Sequence, residues 1–158
     1  MALVKGTNSY VDLYDADDYF DGRMDVAAWF SSSEMMKTQA LLTSAQILNN
    51  LEWIGTAVSD SQTLAFPREG WYFEPILGKY TELEGVPKRI RSAQLELAYH
   101  LMNNDGLLDE TGSVTDIQIE GLVLTGVKPP RRIPSFVHDI IKNFLANTAS
   151  GPMWWRAN

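Results

Sequence analysis

The chain has 158 residues, 45% of them hydrophobic, with no cysteine and a formal net charge of −7. That length carries one domain with a real core, and the missing cysteines exclude disulfides, thiolate metal sites and a cysteine nucleophile. The acidic balance weighs against a general affinity for phosphate backbones, which cationic side chains supply.

The start, Met1-Ala2-Leu3-Val4-Lys5-Gly6, has no charged region leading into an apolar stretch, and nowhere is there a run of the roughly eighteen apolar residues that a membrane span needs. Neither a secretory signal nor a membrane partner is therefore expected. Asn8 to Val11 reads as extended, and Asp12 is placed to cap a short acidic helix from Leu13 to about Asp21, stopped by Gly22. Ser31 and Glu34 have capping-box spacing ahead of a longer helix, Met35 to about Trp53, whose Leu41, Ala45, Leu48 and Leu51 share a face. This is expected to be the central helix.

Residues 54–86 show no long period and carry Gly55, Pro67, Gly70, Pro75, Gly78 and Gly85. They read as a long structured loop with short 3-10 turns, of a length usually reserved for function or assembly. Pro87 opens the next helix, where Ile90, Ala93, Leu97 and Leu101 continue the buried stripe to about Met102. Partial alternation from Val114 to Leu124 around Gly121 predicts an extended pair or β-hairpin, and Pro134 opens a final amphipathic helix running to about Asn147 with Phe136, Val137, Ile140, Ile141, Phe144 and Leu145. The fold class expected is mainly α: a small bundle of three to four helices with a long structured loop, a short β-hairpin or extended arm, and an extended C-terminal tail. Residues 1–147 form the domain, including loop 54–86 and arm 113–130, and 148–158 form the tail.

Chemistry-bearing motifs are scarce. His100 and His138 are isolated, and no nucleophile elbow, phosphate loop or dinucleotide fingerprint is present. Asp15, Asp17, Asp18 and Asp21 sit on an exposed helix start, where solvent leaves carboxylates ordinary, and their spacing does not match a calcium loop. No catalytic residue, metal site or cofactor is expected, so the chain reads as a non-enzyme. Charge is uneven: residues 1–34 hold seven acids against Lys5 and Arg23, while 127–158 hold Lys128, Arg131, Arg132, Lys142 and Arg156 against Asp139. That asymmetry fits a solvated face and a basic patch, or copies meeting head to tail in a ring. Leu64 to Arg68 and Trp71-Tyr72-Phe73 read either as an interaction surface or as aromatics pinning the loop. The Met153-Trp154-Trp155-Arg156 tail reads either as a cap on the chain's own core or as an anchor for a partner, since Trp and Arg dominate interface hot spots.

Four blocks together resemble a family of small tailed-phage and prophage proteins labelled DnaT-like single-stranded DNA-binding proteins. They are Asn8 to Leu13 with Ala16 to Phe20, Lys37 to Leu42 running through Ala45 and Leu48, Gln62 to Arg68, and Val86 to Ile90 running into Ala93 to Ala98. The resemblance is taken to imply a structural head-tail connector, or neck adaptor, of the virion, assembled in the host cytoplasm. Such subunits form a homo-oligomeric ring of twelve on the portal protein, meet tail or neck proteins, and pass DNA as cargo. On that reading Met153, Trp154, Trp155, Arg156, Arg131 and Arg132 dock on the portal, and Phe66, Arg68, Trp71, Tyr72, Ile117 and Ile119 are candidate subunit or tail contacts. The alternative is a single-stranded DNA-binding replication protein, with bases on Trp154, Trp155 and the loop aromatics and phosphates on Arg131 and Arg132.

Overall fold

Helix α1 spans Leu13–Asp21 in the computed structural model, and Asp12 caps it through a reciprocal box with Asp15, as its position predicts. The residues described are 1–104, 116–119, 122–125 and 133–146. Among them are five α-helices and three two-stranded antiparallel sheets. The expectation of helices, a long loop and a hairpin therefore needs two more strand pairs, both inside the loop.

The second helical start falls two residues later than the capping-box spacing suggests. Ser33, not Ser31, accepts the Met36 N–H and caps α3, Glu34–Asn49. Ser31 instead closes a five-residue helix, α2, Ala27–Ser31, whose Trp29 is fully buried against Phe20 with ring centroids 4.5 Å apart. Nor does α3 run on to Trp53. It ends at Asn49, and the Trp53 indole turns back to donate to the Leu48 carbonyl at 3.0 Å.

The central helix is α4, Lys88–Asn103, rather than α3. Every residue from Ala93 to Ala98 is buried, because α4 lies between two apolar clusters. Ile90, Ala93, Leu97 and Leu101 join Leu48, Phe66, Val137, Ile141 and Phe144, while Leu95 and Ala98 join Phe20, Trp29 and Leu41. A helix buried on two sides must satisfy the polar groups it carries inward. Gln94 does so by accepting the Tyr10 N–H at 2.9 Å and donating to Ser9 Oγ at 2.7 Å and the Leu41 carbonyl at 2.9 Å. Glu96 does so with Arg23 and the Tyr19 hydroxyl, each at 2.7 Å. Burial, and next the Glu96 carboxylate, push the Tyr19 phenol up to about 12.

The acidic helix is less ordinary than its exposure suggests. Asp15 pairs with Lys5 at 2.5 Å, and Asp17 accepts from both Lys37 Nζ and Trp29 Nε1 at 2.8 Å.

Residues 54–86 are built from two hairpins. Strands β1 (Thr56–Ala57) and β2 (Arg68–Glu69) pair first, and β3 (Trp71–Glu74) pairs with β4 (Lys79–Glu82). Gly70 lies between β2 and β3 and holds the Leu83 N–H on its carbonyl at 2.8 Å. There the chain passes Gly55 so closely that a Cβ on Gly55, whose φ is +71°, would sit 2.1 Å from the Glu69 carbonyl oxygen. Only glycine fits both the left-handed φ and that approach. This crossing fixes the direction in which β3–β4 leaves the core.

Strands β5 (Asp116–Ile119) and β6 (Leu122–Thr125) form the hairpin expected around Gly121. The last helix, α5, is shorter than its periodicity predicts: it spans Ser135–Ile141 and tightens into a 3-10 turn over Lys142–Phe144. The tightening drives Phe144 into the core and frees Leu145 to bridge Trp53 in extended form. The tail, 148–158, lies outside the described residues.

Candidate functional site

The β3–β4 hairpin sorts its side chains by the period of two that any strand imposes. Its register sets Trp71 opposite Glu82, Tyr72 opposite Thr81, Phe73 opposite Tyr80 and Glu74 opposite Lys79. Tyr72 and Glu74 face inward. The Tyr72 ring lies 4.6 Å from Phe144 and its hydroxyl donates to Glu74, which Arg89 grips at 2.8 Å. Burial, and then the neighbouring carboxylate, raise the Tyr72 phenol above its ordinary value.

Trp71, Phe73 and Tyr80 occupy the opposite, solvent face, exposed by 63%, 42% and 70%. Phe73 and Tyr80 form an edge-on cross-strand pair with centroids 5.7 Å apart. Three large rings on one face of a two-stranded ribbon make a platform that the core does not use. Exposed apolar area grouped in this way marks an interaction surface more often than scattered residues do.

The charges around the platform are mixed. Lys79 and Lys88 are exposed and have no ion pair among the described residues, whereas Arg89 is taken by Glu74. Glu82 shares the platform's face, directly across from Trp71. Beneath the hairpin, its inner face and the start of α4 enclose a hollow of about 600 Å³ lined by Tyr72, Glu74, Thr81, Lys88, Arg89 and Ser92, among others.

The candidate residues read from sequence divide sharply. Phe66 is not presented to solvent. It is buried in the core, 5.0 Å ring to ring from Trp53. Arg68 spends its guanidinium on the carbonyls of Ile54, Gly55 and Ala65, which staples the loop. Tyr72 pins the hairpin through Phe144, and of the four only Trp71 is presented to solvent. Ile117 and Ile119 lie on β5 opposite Leu124 and Leu122. Arg131, Arg132, Met153, Trp154, Trp155 and Arg156 lie outside the described residues.

Sequence alone groups Phe73 with the loop aromatics and gives no role to Tyr80, Lys79 or Lys88. The signal was present: Trp71-Tyr72-Phe73-Glu74 and Lys79-Tyr80-Thr81-Glu82 flank a four-residue turn containing Pro75 and Gly78, the pattern of a hairpin. His100 and His138 are both half-buried, with the His100 ring 5.6 Å from Phe136. No group of three His, Asp or Glu that could hold a metal ion occurs among the described residues.

The chain belongs to the family described as "Putative DnaT-like ssDNA binding protein", whose model matches residues 2–150. No curated protein and no solved structure matches it.

The family match corrects the connector expectation. Its description names single-stranded DNA binding, not a neck adaptor, so the portal-docking ring and the portal, tail and neck partners lose their ground. So does the reading of a virion structural protein. DNA, expected only as passing cargo, is the ligand in the family's description, and the single-stranded DNA-binding alternative is the reading that it favours.

Proposed function

We propose that the protein binds single-stranded DNA without catalysing a reaction on it, stacking successive bases on Trp71, Phe73 and Tyr80. The observation that carries this reading is the outward aromatic face of β3–β4. Every base has a π-face, so ring platforms hold single strands with little regard to sequence, and a paired duplex hides those faces within its own stack. Family membership supports the same ligand.

The acidic composition then sets the character of binding. Lys79, opposite Glu74, and Lys88, on the hollow beneath the hairpin, lie on the side away from the rings, so few phosphates are neutralised and stacking supplies most of the affinity. For two or three phosphate contacts on a single strand, log K falls against log salt with a slope of about −1.4 to −2.1. Fluorescence anisotropy of a labelled oligothymidylate, titrated at several salt concentrations, tests this. Saturable binding with that shallow slope and quenching of tryptophan emission is expected. Absence of binding, or equal competition by unlabelled duplex, refutes it.

A further inference from the structure

The tip of the hairpin has the wrong composition for a turn in water. Turns favour Gly, Pro, Asn, Asp and Ser, yet between Pro75 and Gly78 stand Ile76 and Leu77, exposed by 84% and 59%. Neither belongs to an apolar cluster of the fold. The turn is nonetheless well braced. The Gly78 N–H donates to the Glu74 carbonyl at 2.8 Å, and the Ile76 N–H donates to the Glu74 side chain at 3.0 Å. Arg89 and Tyr72 hold that same carboxylate from below. The two aliphatic side chains are thus exposed on a supported turn, with Ile76 at the rim of the hollow beneath the hairpin.

Their position relative to the rings suggests what they meet. The Phe73–Tyr80 pair is separated from the turn by a single rung, Glu74 opposite Lys79. At about 3.3 Å per residue, the tip lies roughly 7–10 Å beyond those rings, a span of two or three stacked bases. Aliphatic side chains that carry no hydrogen-bonding group and project next to a stacking surface suit the flat face of a terminal base pair, where Ile, Leu, Met and Pro act as wedges against base steps. Lys79, opposite Glu74, lies on the other face of the ribbon from the aromatic rings, so the tip meets the ligand by apolar contact alone.

We infer that Ile76 and Leu77 form an apolar wedge that abuts the last base pair of a duplex, so that the preferred ligand is a single strand emerging from a duplex rather than a free strand. The inference rests on the single-strand reading of the aromatic face, and its test separates the two.

Anisotropy titrations compare one oligothymidylate free, as the overhang of a blunt-ended duplex, and the duplex alone. The wild-type protein should bind the overhang form tighter than the free strand by about fivefold or more, the gain from one further stacking contact. The double variant Ile76→Ser, Leu77→Ser should keep the wild-type affinity for the free strand and lose that preference. With 2-aminopurine in the terminal pair, the wild-type protein alone should change its fluorescence. Equal wild-type affinity for free and overhang forms overturns the wedge while leaving single-strand binding intact, and failure to bind either form overturns both. A variant that weakens both forms equally makes the tip part of the general platform and overturns the wedge. So does one that abolishes self-association in sedimentation while the junction preference survives.

Discussion

Replacing Trp71 with alanine separates a binding role from a structural one at a single position. The side chain is 63% exposed and its register partner across the ribbon is Glu82, not another ring. Little buried area is lost on truncation, so stability should change by no more than about 0.5 kcal/mol. For a domain of about 150 residues that is a shift of 2 °C or less in the thermal midpoint. Binding should respond far more. Loss of one base–ring stack costs about 1–3 kcal/mol, or roughly fivefold to 150-fold in Kd. Circular-dichroism melting and anisotropy titration with oligothymidylate, run on the same preparation, read the two effects side by side. An unchanged Kd at an unchanged midpoint removes Trp71 from the site. A weakened Kd accompanied by a midpoint lower by many degrees makes the ring structural and refutes the assignment of the outer face.

Phe66→Ala should show the reverse pattern. The ring is buried among Tyr10, Trp53 and Phe144, so truncation costs about 3–5 kcal/mol by denaturant unfolding, and a loss below 1 kcal/mol would mean the loop is not packed as described. Gly55→Ala forces a Cβ onto the Glu69 carbonyl at a positive φ. It should lower stability by more than about 1 kcal/mol and displace the hairpin, seen as amide shift changes spreading from β1–β2 into β3–β4; shifts confined to residue 55 would count against the crossing. Asp17 is held below its ordinary 3.8: burial pushes the carboxyl up, but hydrogen bonds from Lys37 and Trp29 outweigh it. A carboxylate lowered by folding contributes fully above its unfolded value and loses that contribution as pH falls through the folded one. Asp17→Asn keeps an oxygen for the Trp29 indole and loses only the charge, so the stability gap to wild type should close as pH drops from about 5 to about 3. A gap constant over that range would show that the ion pair with Lys37 contributes nothing.

Local signals in the sequence located what local chemistry decides. Asp12, Pro87 and Pro134 mark helix starts, and the partial alternation around Gly121 marks a strand pair, because caps, proline and a period of two act within a few residues. What depended on distant partners was not legible. The Trp53 indole ends α3 early by reaching back to Leu48, and Leu145 leaves its helix to bridge Trp53, a partner 92 positions away. The centrality of α4 was hidden because its second buried side, Leu95 and Ala98, only becomes a core face once α1 and α2 fold over it. The aromatic platform was half legible. The residues stood in the sequence, but weighing Trp71, Tyr72 and Phe73 as one group hid the alternation that sends Tyr72 inward and its neighbours out. The two terminal tryptophans drew the functional reading to the far end of the chain, and the basic residues near them drew the alternative's phosphate contacts there too.

The three hydrogen bonds of Gln94 carry a consequence for how the chain reaches its native state. One amide joins residues 84 and 85 positions behind it and a carbonyl 53 positions behind it. Each bond joins α4 to a segment far back in the chain, and burying the Gln94 amide without them would leave it unpaired at the most buried point of α4. Folding is thereby tied to long-range contacts, which slow it relative to a helical bundle of local hairpins. Fragments that stop short of α4 lack the side chain that ties Ser9 and Tyr10 to Leu41.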